Sequence, residues 1–246
     1  MPELSPTLTS RWPWTGSGHG PLPPLLVTLT VVTGLVDAVS YVALGHVFVA
    51  NMTGNVVFVG FAIAGAPGLS VWASLVAMGA FLAGAVAGGR LGARMGAHRG
   101  RNLSAAATIS ASLVALAVVL AAIAGQPVGQ GARYGLIVLL AMALGMQNAT
   151  ARRLAVPDLT TTVLTLTLTG VAADSRLAGG PGGHPARRLI AVGAMLVGAL
   201  IGALLVINVD LVLPLAIAAA LLAATAAAAR RFSSGDSDWA RRPEPH

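Results

Sequence analysis

The sequence predicts an all-α integral membrane protein with six net transmembrane crossings, built as two weakly similar halves in an inverted repeat. Three observations lead there. Of 246 residues, 56% are hydrophobic and only 9% charged, with a mean hydropathy of +0.81, whereas soluble domains carry about 25% charged residues. The apolar residues gather in six runs, two of them about twice the length of a membrane helix. The arginines segregate to one membrane face only if each long run crosses once.

Taken in order, residues 1–24 are rich in Pro, Ser, Thr and Gly and include Trp12 and Trp14. They lack a basic segment followed by an apolar one, so they read as a disordered cytoplasmic tail and not as a signal peptide. One transmembrane domain follows over residues 25–229. Its runs extend from Leu25 to Gly65, Leu69 to Gly89, Leu103 to Ala124, Ala132 to Ala173, Leu189 to Ile207 and Leu211 to Ala229. About 20 residues suffice to cross the hydrocarbon core, so the first and fourth runs, of 41 and 42 residues, exceed one straight span. Each is either a two-helix hairpin or a broken helix with a single net crossing. Residues 230–246 are polar and charged, a second disordered cytoplasmic tail.

Arginine placement chooses between the two counts. All 15 basic residues are Arg, and basic residues in short loops set orientation. With eight crossings, one face collects Arg90, Arg94, Arg99, Arg101, Arg152 and Arg153 and the other the remaining nine. With six crossings, twelve arginines fall on one face and Arg133 alone on the other, leaving Arg152 and Arg153 inside the second long run. The six-crossing count is therefore preferred, with both termini cytoplasmic and the bacterial inner membrane as the expected home. The pI near 11.6 reflects these orienting clusters and not nucleic-acid binding.

The two halves, 25–125 and 132–229, show their kinship in short matches. The stretch from Gly79 to Gly88 matches that from Gly193 to Gly202 at six of ten positions. A similar offset pairs Gly34 and Asp37 with Gly145 and Asn148, and Asn51, Thr53 and Asn55 with Val163, Thr165 and Thr167. Three net crossings per half make the repeat inverted. Gly84, Gly88, Gly92, Gly96 and Gly100 recur every four residues, and Gly198 and Gly202 continue the pattern. Small faces of this kind let helices approach closely. Their expected use is a crossing near the pseudo-twofold axis or a homodimer contact, with generic small-residue composition as the bland alternative.

Polar residues at depth mark the candidate site. Asp37 lies about thirteen residues into the first run, where an ionised carboxylate costs about 2.5–3.5 kcal/mol. Ser40 and Tyr41 share its helix face. Gln147 and Asn148 hold the corresponding place in the second half, with Arg152 one turn further on. An ion pair between Asp37 and Arg152 would account for an arginine there. Alternatively, Arg152 and Arg153 mark a short aqueous loop or snorkel to the headgroups while Asp37 is buried protonated.

The stretch Asn51-Met52-Thr53-Gly54-Asn55 alternates polar and small or apolar residues, as does Thr165-Leu166-Thr167-Leu168-Thr169. Period two is not a helical face. In an unwound segment the polar groups would point one way, and such backbone is tolerated at depth only against protein or a watery cavity. Gly45 and Pro157 stand upstream as helix breakers. The alternative is an intact helix whose Thr hydroxyls bond back to i−4 carbonyls and whose Asn residues link neighbouring helices.

Several chemistries are absent from the pattern. There is no cysteine, which excludes thiol nucleophiles, disulfides and Cys-ligated metals. His46, His98 and His184 form no metal-ligand cluster, and Asp158, beside Pro157, reads better as a helix cap than as a second acid for Asp37. No enzyme, cofactor or metal is expected.

Gly34-Leu35-Val36-Asp37-Ala38-Val39-Ser40-Tyr41, Phe48, Asn51-Met52-Thr53-Gly54-Asn55, Gly145-Met146-Gln147-Asn148-Ala149 and the Thr-rich run from Thr160 together resemble the YoaK family of bacterial multi-pass membrane proteins. The resemblance spans most of residues 25–229. It implies a membrane fold and no ligand set, because the family has no assigned function. Leu166 follows Thr165 where that family commonly has Gly, a departure from symmetry between the halves.

The residues themselves support two classes of function. The first is a small-solute or ion transporter, with Asp37 carrying a proton or cation and Tyr41, Asn51, Thr53, Asn55, Gln147, Asn148 and Thr165 contacting the solute. The second is a non-transporting scaffold, sensor or assembly subunit that uses the glycine faces to bind another helix.

Overall fold

The computed structural model describes residues 19–96, 98–125, 127–156, 164–175, 178–179, 185–233 and 239. Eight helices are formed among them: α1 Leu22–Ala43, α2 Met52–Ile63, α3 Val71–Arg94, α4 Arg99–Ala124, α5 Gln130–Leu154, α6 Leu164–Ala173, α7 Pro185–Asn208 and α8 Val212–Ser233. Six are long and apolar enough to cross a membrane, each 22–26 residues. At about 1.5 Å rise per residue each exceeds the ~30 Å hydrocarbon core.

The first and last helices both extend a few residues into the expected tails. Helix α1 starts at Leu22, since prolines in a first turn give up only amide protons that have no helical acceptor. Helix α8 continues through Arg230 and Arg231 to Ser233, and Trp239 packs on Gly20 and Gly100. Residues 1–18, 234–238 and 240–246 of the expected tails lie outside the described residues.

The two long runs are broken helices. Helix α1 ends in a Schellman motif: Gly45 takes φ +92°, and His46 N–H reaches back to the Tyr41 carbonyl at 3.1 Å. The chain then reverses, so that Val49 and Ala50 return to the level of Asp37, six residues before the end of α1. From there α2 runs back toward the end it came from, because His46 Nδ1 lies 3.2 Å from the Gly68 carbonyl in the link that follows α2. The first run therefore crosses once and re-enters. In the second run α5 stops at Ala155, in the left-handed region at φ +50°. Helix α6 also returns to the end where α5 finished: Asp174, just past α6, pairs with Arg188 in the first turn of α7 at 2.7 Å. Pro157 and Asp158 fall outside the described residues.

Contacts between helices establish their directions. Ser110 Oγ donates to the Ala143 carbonyl and Arg99 Nη2 to the Leu154 carbonyl, so α4 and α5 are antiparallel. Ser104 bonds the Ala226 carbonyl while Gly100 meets Ser233, so α4 and α8 are antiparallel. Gly84 abuts Met142 and Gly88 abuts Met146, whereas Gly198 abuts Val31 and Gly202 abuts Leu35; α3 runs parallel to α5 and α7 parallel to α1. Helices α1, α4 and α7 thus point one way and α3, α5 and α8 the other, as an inverted repeat requires.

The repeat is exact enough to be read residue by residue. A side chain on Gly84 would strike the Met142 carbonyl and one on Gly145 the Phe81 carbonyl; a side chain on Gly198 would strike the Val31 carbonyl and one on Gly34 the Met195 carbonyl. Val31 and Gly34 of α1 thus correspond to Met142 and Gly145 of α5, and Phe81 and Gly84 of α3 to Met195 and Gly198 of α7. The glycine faces are used for close helix packing. Those of α3 are filled by α5 and those of α7 by α1, each seam joining one half to the other.

These directions also place Arg152 and Arg153. The end of α3 with Arg90 and Arg94, the start of α4 with Arg99 and Arg101, the end of α5 with Arg152 and Arg153, the start of α7 with Arg187 and Arg188 and the end of α8 with Arg230 and Arg231 all fall at one end of the bundle. Arg133 lies against Gly45 at the other.

Candidate functional site

The link between α1 and α2 is built around two side chains. Asp37 is 4% exposed, and its Oδ1 accepts the backbone N–H groups of Val49 at 2.9 Å and Ala50 at 2.8 Å. Asn55 is fully buried; its Oδ1 accepts the Phe48 N–H at 2.9 Å and its Nδ2 donates to the Phe48 carbonyl at 2.7 Å. Between them they satisfy backbone groups of the link that no helix ladder serves. Asn51 caps α2 by accepting the Gly54 N–H at 3.4 Å. Tyr41 stacks on Phe48 at 5.2 Å and meets His46 edge-on at 5.1 Å, while Phe58 of α2 stacks on Phe48 at 5.5 Å. These rings hold the re-entrant hairpin against α1.

A cavity of about 370 Å³ opens beside this link. Its walls are Thr33 and Asp37 of α1, Ala50 and Asn51 of the link, Thr53, Gly54, Val57 and Phe58 of α2, Thr165 of α6 and Met195 of α7. Helices α2 and α6 thus enter from opposite ends of the bundle, and the first turns of both border one polar space. Asp37 is the single ionisable group among the described residues of that wall.

Of the residues singled out from sequence, Asp37, Asn51, Thr53 and Thr165 come together here and four others do not. Tyr41 belongs to the aromatic cluster and Asn55 to the clamp on Phe48. Gln147 donates to the Leu29 carbonyl at 3.1 Å and to Thr33 Oγ1 at 2.8 Å, bracing the wall from behind. Asn148 donates to the Leu144 carbonyl at 2.9 Å, a bond back to its own helix. The proposed ion pair does not form: backbone amides meet the Asp37 carboxylate, and Arg152 stands in the last turn of α5 at the arginine-rich end.

The period-two reading of residues 51–55 is also overturned. The unwound segment precedes this stretch, and Thr53 and Asn55 lie on the helical first turn of α2. Thr53 lines the cavity while Asn55 turns back to Phe48, so the two do not share a direction. Thr165, Thr167 and Thr169 are likewise helical, on α6.

Residues 25–228 match the family described as "Protein of unknown function (DUF1275)". The chain belongs to the DUF1275 family. The UPF0700 transmembrane protein YoaK of Bacillus subtilis (strain 168) is 32% identical over 150 residues, 61% of this chain and 65% of the relative. This chain therefore spans a little under two thirds of that relative's length. No solved structure matches. Together with the six apolar helices, the DUF1275 match makes this a multi-pass membrane protein.

In this DUF1275 chain, sequence reasoning missed Thr33, Ala50, Val57, Phe58 and Met195 of the wall. Thr33 precedes Asp37 by one helical turn, a spacing that could have flagged it. Met195 and Phe58 carried no comparable signal, since only packing brings α7 and the middle of α2 to the wall.

Proposed function

We propose that this protein is a small-solute or ion transporter of the bacterial inner membrane, with the arginine-rich end and both termini cytoplasmic. One observation carries the reading: two short helices enter from opposite ends of an inverted repeat and border the same polar cavity. Discontinuous helices at a repeat interface are where secondary transporters place substrate and coupling ions. A polar cavity walled by a buried carboxylate is costly in a membrane bundle that only has to pack. Asp37, Asn51, Thr53 and Thr165 are the contact residues in this reading. Asn55, Gln147 and Tyr41 keep the wall in shape, and orientation follows the excess of arginine at one end.

The test starts with a thermal-shift screen of the purified protein against ions and metabolites, since a ligand that prefers the folded state raises its apparent stability. Stabilising compounds are then offered to proteoliposomes. The expected result is uptake by the native protein and its loss in Asp37→Asn, which keeps an oxygen for the Val49 and Ala50 amides. Compounds that stabilise but never enter proteoliposomes would favour a sensor instead.

A further inference from the structure

Asp37 has two carboxylate oxygens in different situations. Oδ1 is engaged by the link, where it offsets the partial positive charge at the start of α2. Oδ2 is buried and accepts no hydrogen bond from the protein. A buried polar atom of this kind calls for a partner, and Asp37 also borders the cavity. Three further wall residues, Asn51, Thr53 and Thr165, bring neutral amide or hydroxyl oxygens. No basic side chain stands among the described residues of the wall.

One negative charge with neutral oxygens around it suits one positive charge. Calcium sites use several carboxylates, and magnesium relies on retained waters and phosphates. Among the described residues, an anion would find the carboxylate without any cationic side chain to offset it.

We propose that this cavity binds a monovalent cationic group, an alkali-metal ion or the ammonium head of a small amine, held by the Asp37 carboxylate and the oxygens of Asn51, Thr53 and Thr165. The assignment rests on the reading of the cavity as a transport site and names the charge class it takes. Thr165 comes from the second half, so the bound cation ties α6 to α1 and α2. Occupancy then bears on how the two halves sit against each other, which is how a coupling ion acts in an inverted-repeat carrier.

Binding is measured without transport. The full chain in detergent is melted in sodium, potassium, ammonium or methylammonium chloride, against N-methyl-D-glucamine chloride at the same ionic strength. A saturable rise in Tm with at least one probe is expected, together with its loss in Asp37→Asn. Thr53→Val and Thr165→Val, which alter the wall without touching the amides of the link, are each expected to weaken apparent affinity about tenfold or more. Stabilisation by alkali ions alone assigns a bare ion, and by the ammonium probes alone an amine head.

The proposal is overturned if no probe exceeds the N-methyl-D-glucamine control. It is equally overturned if stabilisation survives unchanged in both threonine variants, because the cation then sits elsewhere. Should Asp37→Asn fail to fold, the two threonine variants decide. Uptake of a neutral or anionic solute that needs Asp37 but ignores these cations removes the cation assignment and leaves transport standing. Cation binding at the wall without uptake of any solute does the reverse.

Discussion

Asp37 and Asn55 look alike in the sequence, two polar residues stranded in an apolar run, yet they act differently. Asn55 engages Phe48 with both ends of its amide, Nδ2 also reaching Met52 Sδ at 3.7 Å, and its role is to hold the link. Asn55→Ala strands a buried N–H and a buried carbonyl, so a stability loss of about 2 kcal/mol is expected, read as a lower Tm in detergent whatever cation is present. Asp37→Ala removes the acceptor for two amides and should cost at least as much, about 2 kcal/mol or more, whereas Asp37→Asn should melt much closer to the native protein. Equal melting of the Ala and Asn variants would show that the amide bonds contribute little. Depth and polarity were legible for both residues. Their division of labour was not, because it depends on where residues 48–50 return after the turn at Gly45, a path written in backbone geometry.

At the scale of the element, the glycine pattern predicted close helix approach, and the structure supplies the partners. Gly84 and Gly198 admit a neighbouring carbonyl where a methyl would collide, whereas Gly79 and Gly193, on the same two helices, have open space where a methyl would go. Gly84→Ala and Gly198→Ala are therefore expected to lower Tm or prevent assembly. Gly79→Ala and Gly193→Ala should be neutral or stabilise by up to about 1 kcal/mol, the propensity gain of Ala over Gly in a helix. Thermal unfolding of the four variants side by side checks this, and equal effects would mean that the glycines reflect composition and not packing. Spacing of four announced a small-residue face. It could not say that α5 and α1 would fill those faces, because a small face fits any helix that can come close.

At the scale of the whole molecule, six crossings and the lopsided arginines give a topology that can be tested directly, since the native chain has no cysteine. Single cysteines at Ala66, in the link after α2, and at Val128, before α5, are expected to react with a membrane-impermeant maleimide from outside the cell. One at Met95, between α3 and α4, should react only after the membrane is opened. Labelling of His46→Cys, just before α2, and Ala66→Cys, just after it, from opposite sides would mean that α2 crosses and that the re-entrant reading is wrong. The chain by itself determined that it lives in a membrane, how many times it crosses, which end carries the arginines and that its halves are related, because hydropathy, charge segregation and repeated spacing are properties of local stretches of sequence. It also determined that Asp37 and Asn51 to Asn55 are too polar for lipid. Tertiary structure alone decided that Asp37 faces backbone amides and a cavity and not Arg152. It alone brought Thr33, Thr53, Thr165 and Met195 to one wall. The physical reason is that a buried polar group is satisfied by whatever the fold carries to it, and residues more than a hundred positions apart meet only when α2 and α6 turn back from opposite ends of the bundle.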